Sequence, residues 1–327
     1  MILLLGGLGN VGLNLASYMK SMNIDVTVLG RQDPKIVKQL FPNITYINEN
    51  MSNEGLWKIN DDYDVAINLA YSNSNFGNRV IKENKIMMNN LYKNRKSFQR
   101  VVHISTTAVN GYGSNPNKDL VNNYCWDDFY TLAKSVQESE IYKYDYPFQV
   151  IRIANYLDKD SIFLKSLAIL SQFEIDEKDF NFYSDITTTE DIYNFITSSS
   201  IEPLVNLYHP LNHSWSDLIN TCKLKWDISN NINYDYSKFV YTNNNKYLIR
   251  YLTKFIPMSL HSRLEQKIKK NKYLLSLLQE QVSHMDYISP IYRVKRKDSV
   301  HKEIKISKTV EQLISSLNNN AENFRLK

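Results

Sequence analysis

Cysteine is almost absent from this chain. Only Cys125 and Cys222 occur in 327 residues, far apart and without Cys or His neighbours at ligand spacing. That excludes a disulfide framework and a zinc-finger-type centre, and no metal site is expected. No apolar run approaches the roughly 18 residues that a spanning helix needs. The apolar start Met1 to Leu5 breaks at Gly6-Gly7 with no basic segment before it, so a secretory signal is not expected and the cytoplasm is the expected compartment. Glycine is scarce and uneven: all nine lie between Gly6 and Gly113, and four of them are Gly6, Gly7, Gly9 and Gly12. A backbone that concentrates its glycines in one place has a special conformation or a close contact there.

What is present suits one large α/β unit with a smaller lobe: 38.3 kDa, 43% apolar and 22% charged residues. Met1 to Leu5, Val26 to Leu29, Ile44 to Ile47, Asp64 to Leu69, Arg100 to Ser105 and Phe148 to Arg152 read as short buried strands. Helical periods fall between them, at Val11, Leu15, Ala16 and Met19, then Ile36 to Leu40, Val80 to Phe98, and Asp127 to Tyr144. Alternation of this kind predicts a doubly wound, Rossmann-like parallel sheet. It would occupy residues 1–155, with returning segments around 180–210. Residues 156–327 would form a smaller, mostly helical substrate lobe. That lobe holds helical patterns at 161–172, Glu190 to Ser199, 246–282 and Ser307 to Leu317, and a strand-like piece from Phe180 to Ile186.

Gly6-Gly7-Leu8-Gly9-Asn10-Val11-Gly12 follows a strand and opens a helix, the context in which a glycine pattern becomes a dinucleotide fingerprint. Gly6, Gly9 and Gly12 would let the backbone approach a pyrophosphate, and the N–H groups at Asn10 and Val11 would meet its charge. Cofactor choice should be written at the end of the second strand, where Gly30-Arg31 stands without a neighbouring carboxylate. A guanidinium there can stack on adenine and fork onto a 2′-phosphate, which favours NADP(H), with NAD(H) as the alternative.

Tyr130 and Lys134 stand at i and i+4 of a predicted helix, a phenol and an ammonium on one face. The same spacing recurs at Tyr92/Lys96 and Tyr234/Lys238. Position distinguishes Tyr130, whose helix follows the strand ending in Ser105-Thr106-Thr107 at the carboxyl edge of the sheet, where ligands collect in such folds.

In order along the chain these features resemble the extended short-chain dehydrogenase/reductase family, the epimerase/dehydratase family of nucleotide-sugar enzymes. Its Gly-x-x-Gly-x-x-Gly matches Gly6, Gly9 and Gly12. Its Asp-x-Val-x-x-x-Ala-Ala strand is similar to Asp64 to Ala70, and its Ser-Ser/Thr-x-x-Val-Tyr-Gly to Ser105 to Gly111. Its Tyr-x-x-x-Lys matches Tyr130 and Lys134, its Arg-x-x-Asn matches Arg152 and Asn155, and a later Val-x-Asp-Ile-like stretch resembles Thr187 to Ile192. The likeness covers residues 1–225.

The resemblance implies that Tyr130 is the general acid/base and that Lys134 holds the nicotinamide ribose and lowers the phenol's pKa. It implies Thr106 as the hydroxyl partner of the reacting oxygen. Leu69, Ala70 and Asn50 would line the cofactor, and Thr107, Asn155 and Arg293 the substrate. A phenol with an ordinary pKa of about 10 needs a cation nearby to exchange protons near neutrality. This sequence departs from the family where Asn50 replaces a common Asp, Met87-Met88 a Gly-Thr, and Asn110 a Tyr.

Dehydratases of the family carry an Asp-Glu pair after the active-site Thr. Thr107-Ala108 stands there in this chain, and a methyl cannot shuttle protons. The leading expectation is an NADPH-dependent reductase of a nucleotide-activated 4-keto sugar, in surface polysaccharide or deoxysugar biosynthesis. The alternatives are an NAD-dependent epimerase of the same fold and a non-catalytic NADP(H)-binding regulator. The resemblance implies a homodimer paired through the helices at Val80 to Phe98 and Asp127 to Tyr144.

Residues 238–308 hold 16 Lys/Arg against 5 Asp/Glu. A solvated basic face is the first reading of that stretch, diphosphate recognition the second, and peripheral attachment to anionic lipid a less favoured third. Without a base-stacking aromatic series or a nucleic-acid module, nucleic acid is not an expected partner.

Overall fold

A computed structural model describes residues 1–225 except 54, 60–61, 73–76, 111–128, 159–160, 162, 165–166, 168–170, 172–185, 199–201 and 208–213. Arg293, the Tyr234/Lys238 pair, the basic 238–308 stretch and the helices expected at 246–282 and from Ser307 to Leu317 lie outside the described residues, as does most of 161–172.

Seven strands form one parallel sheet: β1 (Ile2–Leu5), β2 (Val26–Gly30), β3 (Thr45–Asn48), β4 (Tyr63–Asn68), β5 (Phe98–Thr106), β6 (Phe148–Ile153) and β9 (Leu204–Leu207). Their order is β3-β2-β1-β4-β5-β6-β9. A separate two-stranded piece pairs β7 (Asn155–Tyr156) with β8 (Ile186–Thr187). The order reverses between β1 and β4, whose registers match Leu5 with Asn68. In doubly wound sheets the crevice at such a reversal is where ligands bind. The helices are α1 (Asn10–Ser21), α2 (Pro34–Leu40), α3 (Gly77–Lys93), α4 (Phe129–Ile141), α5 (Thr189–Thr197) and α6 (Trp215–Lys225).

The strands are apolar because both faces are covered. Ile2, Leu4, Val28, Ile67, Val102, Ile104 and Ile151 point to the face that packs on Leu15, Ala16 and Met19 of α1 and Ile192, Phe195 and Ile196 of α5. Leu3, Leu5, Ala66, Val101 and Val150 point the other way, onto Met87, Met88 and Leu91 of α3. Burying each of these large side chains is worth about 1.5–3 kcal/mol against leaving it in water. α4 lies beside α3 through Leu132, Ala133 and Val136 against Val80.

The third helical stretch is shorter than its pattern. α3 stops at Lys93, a 3-10 turn covers Arg95–Ser97, and Phe98 already belongs to β5. Asn94 explains the stop: its backbone N and its Nδ2 both donate to the Asn90 carbonyl, at 3.1 and 2.8 Å, while its own carbonyl accepts from Ser97 N at 3.0 Å. α4 likewise ends at Ile141 rather than Tyr144, in a turn closed by Lys143 N and Tyr144 N on the Glu140 and Ile141 carbonyls. β9, with half-buried Leu204 and Asn206 and only four residues, carries too short a signal to stand out in the sequence.

Candidate active site

The glycine turn does two different jobs. Gly6 has φ +71°, and a Cβ there would lie 2.7 Å from Ala70 Cα; a Cβ on Gly12 would lie 2.5 Å from the Gly7 backbone. These two are required by the protein's own packing. Gly9 is not: a Cβ there would meet only the Gly6 carbonyl oxygen, at 3.6 Å. Gly9 is the N-cap of α1, no side chain caps that helix, and no acidic residue stands in its first turn. The N-terminus of α1 is thus uncapped by any side chain, with room before it at Gly9, a geometry that suits an anionic group.

The opposite wall of the turn is the end of β4. Leu69 N donates to the Leu5 carbonyl at 3.0 Å. Ala70 is held twice, its N–H donating to Asn68 Oδ1 at 3.2 Å and its carbonyl accepting from Gln137 Nε2 at 2.8 Å. At the end of β2, Arg31 is exposed. Asp33, two residues further on, caps α2 by accepting from Lys35 N at 2.8 Å, and Glu49, which follows the register partner of Gly30, accepts from Lys58 N at 3.3 Å. Asn50 is turned onto its own loop, its Oδ1 accepting from Ser52 N at 3.0 Å and its Nδ2 donating to Asn53 at 3.3 Å.

α4 packs against β5 and against the 3-10 turn Thr107–Asn110. It brings Lys134 to the carboxyl end of β5 and sets Tyr130 against Tyr71, just beyond β4. Lys134 is 3% exposed and its Nζ donates to the Ile104 carbonyl at 2.9 Å. Burial pushes its pKa down to about 7, against the upward pull of Glu138. Tyr130 is half-buried, with the Tyr71 ring edge-on to it at 5.1 Å. Thr106 is buried, and its Oγ1 accepts from Ala108 N at 3.3 Å. Thr107 opens the 3-10 turn, and Asn155 sits half-buried in β7. The competing Tyr92/Lys96 pair is split between the last turn of α3 and the 3-10 turn, so it does not share a helix face.

Beneath α4 lies a polar layer that the motif reading missed. On the face where Ala66, Val101 and Val150 are apolar, the carboxyl ends of the strands carry Asn68, His103, Ser105 and Arg152, all buried. Ser105 and Arg152 are register partners, and both bind Glu138: the serine hydroxyl donates to Oε1, and the guanidinium reaches Oε1 at 3.0 Å and Oε2 at 2.5 Å. Asn68 Nδ2 donates to His103 Nδ1 at 3.1 Å. Burial first, then the Lys134 and Arg152 charges, hold His103 well below the ordinary histidine range, so the ring is neutral. The signal for Glu138 was present in the sequence, since Tyr130, Lys134 and Glu138 recur every four residues on one helical face.

A glycine turn at the switch point of a parallel sheet, with a phenol and a buried amine on the helix after β5, is a doubly wound, Rossmann-like arrangement. Solved structures with this fold match the chain. UDP-glucuronic acid 4-epimerase from Bacillus cereus, in complex with NAD, superimposes with TM-score 0.55 at 17% identity, over 71% of this chain and 86% of its own. UDP-N-acetylglucosamine 4-epimerase from Methanobrevibacter ruminantium, in complex with UDP-N-acetylmuramic acid, does so with TM-score 0.56 at 20% identity, over 72% and 84%. UDP-glucose 4-epimerase from Thermotoga maritima, with UDP-glucose, gives 0.52 at 16%, over 71% and 85%. No family model matches the sequence, and no curated protein does. Among the described residues no helix is long and apolar enough to cross a membrane.

Proposed function

We propose that this protein is a nicotinamide-dinucleotide-dependent oxidoreductase of a nucleotide-activated sugar, and that it reduces a 4-keto sugar with NADPH. The observation that carries the reading is Lys134, a buried amine on the same helical face as Tyr130, its Nζ anchored on the Ile104 carbonyl in β5. In its protonated form this amine favours the phenolate and so helps a phenol give up a proton that it would otherwise hold to about pH 10.

A bound reduced dinucleotide supplies the hydride. Tyr130 donates its phenolic proton to the carbonyl oxygen as that oxygen gains charge. Thr106 donates a hydrogen bond to the same oxygen, and Lys134 holds the nicotinamide ribose and returns a proton to the phenolate. The turn at Gly6, Gly9 and Gly12 holds the pyrophosphate, with Asn10, Val11, Leu69 and Ala70 along its walls. Asn50 stands beside the adenine end, and Thr107, Asn155 and Arg293 contact the substrate. Arg31 takes the 2′-phosphate, a role supported by its exposure and by the prior engagement of Asp33 and Glu49.

The second reading is an NAD-dependent epimerase, favoured by the likeness to a 4-epimerase solved with NAD. Titrating the cofactor-free protein and Arg31→Ala with NADPH and NADH separates the two. Preference for NADPH that collapses in the variant supports the reductase; preference for NADH, or an indifferent variant, supports the epimerase. Tyr130→Phe should cut turnover about 10²–10⁴-fold while leaving dinucleotide affinity within about threefold. Undiminished turnover in that variant ends the assignment of Tyr130.

A further inference from the structure

Tyr71 sits where the family pattern has the second of two small alanines, and its ring lies across the Tyr130–Lys134 pair. Its centroid is 5.3 Å from Lys134 Nζ, within the range of a cation–π contact, and 5.1 Å from the Tyr130 ring at an interplanar angle of 74°. The placement is not the accident of a loose loop, because the residues on both sides of Tyr71 are pinned. Ala70 is held by Asn68 and Gln137 as described above. Ser72 N donates to Asn84 Oδ1 at 3.0 Å, and Asn84 Nδ2 returns a bond to the Ser72 carbonyl at 3.2 Å; Asn84 is fully buried. Tyr71 itself is 38% exposed, so one side of the ring meets solvent while the other covers an amine that is 3% exposed.

We propose that Tyr71 is a positioning residue of this site: its ring roofs Lys134 against water and props the Tyr130 ring edge-on. The catalytic consequence rests on the roles proposed for Tyr130 and Lys134, whereas the shielding is measurable without them. The test uses the cofactor-free full chain, treated with acetic anhydride at pH 8, with acetylation of Lys134 followed by peptide mass spectrometry and exposed Lys35 as the internal reference. Tyr71→Ala should label Lys134 at least about tenfold faster than wild type, and Tyr71→Phe, which keeps the ring face, should label at the wild-type rate. Equal rates in Tyr71→Ala and wild type overturn the proposal, as does fast labelling in Tyr71→Phe. Should circular dichroism show Tyr71→Ala unfolded, Tyr71→Val carries the same test, its side chain being too short to reach Lys134. With a substrate in hand, Tyr71→Ala should lower kcat more than it weakens dinucleotide binding. If Tyr130→Phe leaves turnover intact, it is the functional reading that fails and not the shielding.

Discussion

On the β1 side of the sheet's carboxyl edge the proposed site consists of backbone N–H donors, exposed where side chains are omitted at Gly6, Gly9 and Gly12. On the β5 side it consists of side chains, and burial lowers the pKa values of Lys134 and His103. In the first region atoms sit too close for a Cβ at Gly6 and Gly12; in the second, Ser105 and Arg152 bind Glu138 and Lys134 binds the Ile104 carbonyl. A backbone site therefore fails by steric intrusion, and a side-chain site fails by leaving a partner stranded.

Four substitutions or conditions probe that contrast. The largest expected effect is on the side-chain half. Glu138→Ala removes the buried carboxylate that pairs with the Arg152 guanidinium and should cost about 3–5 kcal/mol in urea unfolding; a loss below about 1 kcal/mol would mean that the pair is solvated. Next comes Gly12→Ala, whose methyl must displace the Gly7 backbone. Unfolding should show a loss of about 1–3 kcal/mol, together with loss of dinucleotide binding.

Third is the pH dependence of the cofactor-free protein. The folded pKa of Lys134 is about 7, below its ordinary 10.5. Between those values the unfolded chain holds a proton that the folded chain has released, so stability rises with pH. The slope from this one group reaches at most about 1.4 kcal/mol per pH unit and should vanish in Lys134→Met. The smallest stability effect belongs to Gly9→Ala, where a methyl meets nothing closer than 3.6 Å. Unfolding should shift by less than about 0.5 kcal/mol, while calorimetry should show NADPH affinity falling at least about tenfold. If Gly9→Ala binds normally, the open space before α1 is not the pyrophosphate site.

The same contrast explains what was legible in the sequence. Buried parallel strands read as short apolar runs, so β1, β2 and β4 stand out, and the glycine turn declares itself through the residues that it lacks. Lys134 was legible as a position but not as a chemical state, because its pKa depends on what α4 is pressed against. Tyr71 and Gln137 were invisible: a tyrosine among 23 and a glutamine on a helix carry no signal until the β4 end is folded beside α4. The end of α3 was misplaced because Asn94 acts through a local side-chain bond that no apolar period records.

The outermost strand bears on how the chain comes together in time. β9 pairs with β6 in parallel, matching Val150 with Leu204 and Ile153 with Leu207, across a separation of about 50 residues. During synthesis at about 5–20 residues per second, the edge of β6 therefore waits some seconds for its neighbour. Throughout that interval a strand reading Phe-Gln-Val-Ile-Arg-Ile, with apolar side chains on each face, is an open template for another nascent chain. Slowed translation between residues 153 and 204 should accordingly raise the aggregated fraction of newly made protein.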